Sequence, residues 1–169
     1  MKLKEKQLKE IDENGFVILP DWFSNEEVNN LRKAMKIVFS EKTDANVVEK
    51  SSGEVRTAMG LHLRSKIFDD LTRHPKFFEP ACQMRGNNLY IQQTKINVKA
   101  AFTGEVWQWH YDFATHSGED GVPKPLALNL HVFLDDVTEF NGPLFFIPKS
   151  HKYGSVPVSY THLTLPTKA

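Results

Sequence analysis

A histidine and an aspartate two residues apart, His110 and Asp112, are the first candidates for chemistry in this sequence. They sit among alternating aromatic residues, Trp107, Trp109, Tyr111 and Phe113. That alternation favours a pleated strand over 107–113. Residues two apart on a strand share a face, so His110 and Asp112 are expected to project side by side. An imidazole and a carboxylate so placed fill two corners of a metal site. With a second histidine and open remaining positions, such a set suits a non-haem Fe(II) centre that activates O2. The plainer reading of the same two residues is a histidine hydrogen-bonded to an aspartate at a strand end.

The sequence that follows narrows the choice. His110 leads through Ser117-Gly-Glu-Asp-Gly121 and Pro123 into Ala127-Leu-Asn-Leu-His-Val-Phe-Leu-Asp-Asp136. Asn141-Gly-Pro-Leu-Phe-Phe-Ile-Pro-Lys-Ser-His-Lys152 comes next. In order and spacing these three motifs resemble the phytanoyl-CoA dioxygenase family of Fe(II)/2-oxoglutarate oxygenases, within it the ectoine-hydroxylase-like branch. The resemblance runs over about residues 10–155 and is strongest over 90–152. It implies Fe(II) as cofactor, 2-oxoglutarate and O2 as cosubstrates, and His110 and Asp112 as metal ligands. It also implies that Gln93 and Lys95 meet the substrate and that Lys99 meets 2-oxoglutarate, with Asn129 expected to hydrogen-bond the same cosubstrate. An amine near a dicarboxylate compensates desolvated negative charge.

Two departures from that branch bear on the substrate. Lys95 stands where the branch carries arginine, so a bidentate fork becomes a point charge. His116 stands where it carries tryptophan, which removes an aromatic wall suited to a cationic ring. Ectoine itself is therefore not the expected substrate. Retention of Asp112 excludes halogenase chemistry, which needs an open position in place of the carboxylate.

The elements that must position these residues can be read in order. Residues 3–14 form an amphipathic helix ended by Asn14-Gly15, and 16–20 a buried strand stopped by Pro20. Ser24 and Glu27 make a capping box for a helix carrying Val28, Leu31, Met35 and Val38 on one stripe. Residues 41–60 read as a polar, mobile loop containing a solvated Arg56. Two helices follow over 63–71 and 75–84, the second opened by Pro75, with His62 and His74 as surface or capping residues. Residues 89–100 read as a strand whose odd face, Gln93, Lys95, Asn97 and Lys99, is polar; periodicity alone reads that face as wet. In a strand over 127–137, Leu128, Leu130, Val132 and Leu134 share one face, and Asn129 and His131 the other. His131 is expected to pack in the barrel, not to bind metal. A buried strand over 144–147 ends at Pro148.

The expected fold is mainly β with N-terminal helices (α+β), the strands forming part of a double-stranded β-helix (jelly-roll, cupin-like) barrel. Neither His151, in a Lys149-Ser-His motif that is structural in the family, nor His162 is taken as the third ligand. Residues 158–169 resemble translated sequencing adapter, so 1–157 is expected to hold the helical support and the first half of the barrel. A fragment of that kind is expected to be inactive. The competing functions are a cupin-like metal-binding module and an inactive pseudo-oxygenase.

Composition excludes other classes. The 169 residues carry 21 basic and 21 acidic side chains, which gives no general pull toward nucleic acid or an anionic membrane. No apolar run approaches the ~20 residues of a membrane span. The charged N-terminus does not lead into a signal peptide, and the single Cys82 fits a reducing, cytoplasmic setting. The expected partner is a small-molecule substrate.

Overall fold

The computed structural model describes residues 1–50, 52–99, 109–118 and 120–154. Helix α1 (Glu5–Asn14) is followed by α2 (Asn25–Ser40) and by strands β1 (Asn46–Val48) and β2 (Val55–Met59). Three more helices come next, α3 (Leu61–Arg64), α4 (Lys66–Thr72) and α5 (Pro75–Arg85). Strand β3 (Lys95–Asn97), helix α6 (Asp112–Gly118) and a 3-10 turn at Ser150–Lys152 complete the described elements. The three strands form one antiparallel sheet in the order β1-β2-β3.

The capping box opens α2 as its sequence dictates. Glu27 N donates to Ser24 Oγ at 3.2 Å, and Ser24 N donates to Glu27 Oε2 at 2.6 Å. The apolar stripe then buries Leu31, Ala34 and Val38 against Ala58 of β2, Leu61 of α3 and Phe68 of α4. Met35 and Phe39 border this cluster from the same helix. Arg64, only 13 % exposed, closes one side of it. Its guanidinium donates to Glu41 Oε2, the carbonyls of Val38 and Met59, and Asn46 Oδ1, all within 3.1 Å. A desolvated cation in a core needs such a set of acceptors, and here α2, β1, β2 and the turn after α2 supply them.

A second clamp joins the start of α2 to the start of α5. Lys76 Nζ reaches both Glu27 oxygens at 2.8 and 2.6 Å and stands 5.0 Å over the Phe23 ring. Trp22 Nε1 donates to the Lys76 carbonyl at 2.9 Å. The Lys76 hydrogen bond, followed by the Ser24 amide, lowers the Glu27 pKa from 4.5 to about 2. His74 caps α5, its Nδ1 accepting from Lys76 N, and Pro75 occupies the first turn as expected.

Several expectations need correction. The N-terminal helices and an antiparallel sheet are found as the α+β expectation has them, but no closed barrel is seen among the described residues. Residues 16–20 are irregular, and Ile18 is 70 % exposed. The 41–60 stretch is a hairpin, not a polar loop: Asn46↔Ala58 and Val47↔Thr57 pair, and Ala58 is fully buried. Arg56 is not solvated; it is half-buried, with its Nε 3.9 Å from the buried Glu49 carboxylate. The helix expected over 63–71 is two helices, broken at Ser65.

Among the described residues of 89–100 only Lys95–Asn97 forms a regular strand, although the predicted alternation holds there, with Thr94, Ile96 and Val98 inward. Residues 127–137 and 144–147 form no ladder among the described residues. Even so, Val132 and Leu134 do turn inward onto the helical core. The physical reason is common to these cases. A strand exists through its hydrogen-bonded neighbour, and side-chain alternation supplies a face but no neighbour.

Residues 144–151 return to the N-terminal helix. Gly15, which ends α1 at φ 88°, lies so close to His151 that a Cβ would sit 2.5 Å from its Nδ1. His151 Nε2 stands 3.0 Å from the Asp12 carbonyl, and Lys149 N donates to the Asn14 carbonyl at 2.9 Å. Phe146 stacks on Phe16 with centroids 4.9 Å apart. Lys149 has φ 67°, the left-handed region where glycine is least strained. His151 thus joins the end of the chain's described part to α1, which agrees with its expected structural role.

Candidate metal centre

Asp112 is the first residue of α6, not the centre of a strand. Residues 109–111 are irregular, and 107–108 lie outside the described residues. An aspartate in the first helical turn is favoured because its carboxylate faces unsatisfied backbone amides and the positive end of the helix dipole. The helix start overrides the aromatic alternation that suggested a strand. The two side chains nevertheless meet: His110 Nε2 is 3.2 Å from Asp112 Oδ1.

That separation can be tested against a metal. Imidazole and carboxylate ligands bind first-row divalent ions at about 2.1 Å, so two of them at adjacent octahedral positions stand about 3.0 Å apart. The observed pair matches that spacing and offers the right donor atoms. Both side chains retain solvent access, His110 at 58 % and Asp112 at 39 %. Among the described residues, no trio of His, Cys, Asp or Glu is arranged to hold an ion. His162 lies outside the described residues, as does the whole tail 158–169.

Asn129 reaches the same carboxylate from the 127–134 segment, its Nδ2 donating to Asp112 Oδ2. Sequence reasoning placed Asn129 near the site but gave no sign of this bond, because residues 17 apart in an irregular region have no fixed register. His131 follows two residues on in the same segment. Its pKa is lowered, first through desolvation of the ring by surrounding protein, with Lys95 adding to the effect and Asp112 opposing it. Lys95 of β3 and Asp112 thus both act on one imidazole.

The other sequence candidates are more dispersed. Lys99 lies across the 141–142 turn, its side chain occupying the space a Cβ on Gly142 would need. Gln93 is exposed and lines a shallow depression with Tyr90, His116 and Asp120. There His116 Nδ1 is 2.8 Å from Asp120 Oδ2 and 2.9 Å from the Gln92 amide nitrogen. The His116–Asp120 pair went unnoticed in the sequence, because Asp120 lies beyond the end of α6, in a stretch that reads as a turn. Trp109 faces Phe145 with ring centroids 6.5 Å apart, beside His110. His62, expected as a surface or capping residue, is half-buried with Nδ1 2.7 Å from Thr94 Oγ1.

Comparison with known proteins places the chain in a family. Residues 11–166 match phytanoyl-CoA dioxygenase (PhyH). The chain is 38 % identical over 143 residues to L-proline trans-4-hydroxylase of Streptomyces griseoviridis, covering 85 % of this chain and 53 % of that protein. It is 36 % identical over 155 residues to ectoine dioxygenase of Nocardia farcinica, covering 89 % of this chain and 52 % of the relative. EctD from S. alaskensis, solved with 2-oxoglutarate and 5-hydroxyectoine, superposes with a TM-score of 0.68 at 31 % identity. That match covers 72 % of this chain and 45 % of EctD; the same protein with bound Fe gives 0.62 at 30 % identity, over 68 % and 42 %. The chain spans about half the length of the curated relatives it matches. With a match over nearly its whole length, the chain belongs to the phytanoyl-CoA dioxygenase (PhyH) family.

Proposed function

We propose that the protein is an Fe(II)/2-oxoglutarate-dependent dioxygenase that hydroxylates a small polar metabolite, with His110 and Asp112 as two of its iron ligands. The observation that carries this reading is the 3.2 Å approach of His110 Nε2 to Asp112 Oδ1 in a chain of this family. The relatives support the reaction class: one is an L-proline hydroxylase, another an ectoine dioxygenase, and EctD was solved with Fe and with 2-oxoglutarate. In the complete domain the 89–100, 127–137 and 144–147 segments would contribute strands to a cupin-like jelly roll.

Iron at this site would supply the coupling of substrate, 2-oxoglutarate and O2 to hydroxylated product, succinate and CO2. The chain's own residues bind and orient. His110 and Asp112 would hold the iron through one nitrogen and one oxygen, donors that suit a non-haem Fe(II) site. The Lys99 ammonium compensates a 2-oxoglutarate carboxylate as it loses water. Asn129 would hydrogen-bond the same cosubstrate, and Gln93 and Lys95 would meet the polar groups of the substrate.

The test is product analysis on the full-length protein, offering L-proline and ectoine separately with Fe(II), 2-oxoglutarate and O2. One succinate formed per hydroxylated product supports the reading, whereas metal binding without succinate favours a cupin-like binding module. Lys99→Ala should raise the KM for 2-oxoglutarate on the order of tenfold, the effect of losing one charged contact. A change confined to the substrate KM would move Lys99 into the substrate pocket.

A further inference from the structure

We infer that Asn129 is a positioning residue for Asp112, holding the carboxylate so that it offers a single oxygen, Oδ1, to the metal. The inference rests on the metal reading of His110 and Asp112. Asn129 Nδ2 donates to Asp112 Oδ2, while the opposite oxygen, Oδ1, faces His110 Nε2 at 3.2 Å. The two carboxylate oxygens therefore have different partners. One is occupied by an amide donor, and the other is directed to the position an ion would share with the imidazole.

Asn129 itself is placed independently of α6. It belongs to the segment whose Val132 and Leu134 pack on the helical core. Arg32 of α2 fixes that segment further, its Nε donating to the Leu134 carbonyl and its Nη2 pairing with Asp135 Oδ1 at 3.0 Å. The core thus positions the amide, and the amide positions the carboxylate. An aspartate without such a partner turns freely about Cβ–Cγ and can present either oxygen or both. A hydrogen bond from a neutral donor to an ionised acceptor is among the stronger kinds and opposes that rotation. Groups that orient ligands in this way govern affinity without touching the ion. Asn129 is also exposed, so its removal leaves the buried cluster intact.

The experiment is a Co(II) titration of the full-length protein, followed by calorimetry and by the visible absorption of the ion, with thermal unfolding in parallel. Asn129→Leu should weaken Co(II) binding about 10- to 100-fold and change the spectrum, with the unfolding midpoint unchanged. Asn129→Gln keeps an amide donor and should recover part of the affinity. If Asn129→Leu binds as tightly as wild type with the same spectrum while Asp112→Ala does not bind, the inference is overturned and the metal reading stands. Should Asn129→Leu lower affinity and midpoint together, with Asn129→Gln restoring neither, the residue is structural only and the inference fails. If wild type takes up no Co(II), or Asp112→Ala binds it equally well, the metal reading fails and the inference with it.

Discussion

The helical part of the chain, from α1 through α5, and the 109–154 part that carries His110 and Asp112 are built by different means. The first holds a covered apolar cluster, in which Leu31, Val38, Ala58, Leu61 and Phe68 are each 5 % exposed or less. In the second, Phe133, Phe140, Leu144, Phe145 and Phe146 are all at least 50 % exposed, and regular structure is limited to one short helix and one 3-10 turn among the described residues. The second part is held to the first by discrete tethers. These are Arg32 to Leu134 and Asp135, Arg85 Nε to the Leu126 carbonyl at 3.0 Å, and His151 with Lys149 on the end of α1. Stability resides mainly in one region and the candidate chemistry in the other. Substitutions should therefore separate folding from metal binding.

Phe68→Ala tests that separation with the largest expected effect. Removing a buried ring from the centre of the cluster should cost about 3–5 kcal/mol, measured by denaturant unfolding. A loss below ~1 kcal/mol would place the core elsewhere.

Gly15→Ala comes next, because it strikes a tether and not the core. An L-residue at that left-handed φ costs about 1 kcal/mol, and its methyl group would displace His151. The measurement is hydrogen exchange. Residues 144–151 should lose protection while α2 keeps its own. Equal loss in both would show that the tether and the core unfold as one unit.

The smallest effect concerns pH. Glu27 has its folded pKa lowered to about 2, chiefly by Lys76. In the unfolded chain the group titrates near ~4.3, so there the unfolded state binds the proton first. The stabilisation is present above that value and is lost as pH falls from about 4.5 toward 2. Glu27→Gln should flatten this limb of a stability–pH curve. An unchanged slope would remove the Glu27–Lys76 clamp from the list of interactions that close α2 on α5.

These contrasts also explain what was legible in the sequence. The Ser24–Glu27 box, the Leu31–Val38 stripe, Gly15 as a helix end and Pro75 as a helix start are local signals, and each is found in place. The His110–Asp112 pair was legible too, since two residues apart in sequence can meet on a strand or at a helix start. The conformation that joins them was not, because the preference of Asp112 for a helix N-terminus competes with the aromatic alternation around it. The β1–β2 hairpin was hidden by Glu49, Lys50 and Glu54, although Val47, Val48, Val55 and Thr57 favour strand. Long-range contacts left no periodic trace: Asn129 to Asp112, His151 against Gly15, Arg64 among four elements.

The most direct test of the central claim is anaerobic calorimetry of Fe(II) with the full-length protein, comparing wild type with His110→Ala and Asp112→Ala. Saturation at one equivalent in wild type, and loss of that binding in both variants with unfolding midpoints unchanged, is the predicted result. Near-normal Fe(II) affinity in either variant would contradict the assignment of His110 and Asp112 as the metal pair.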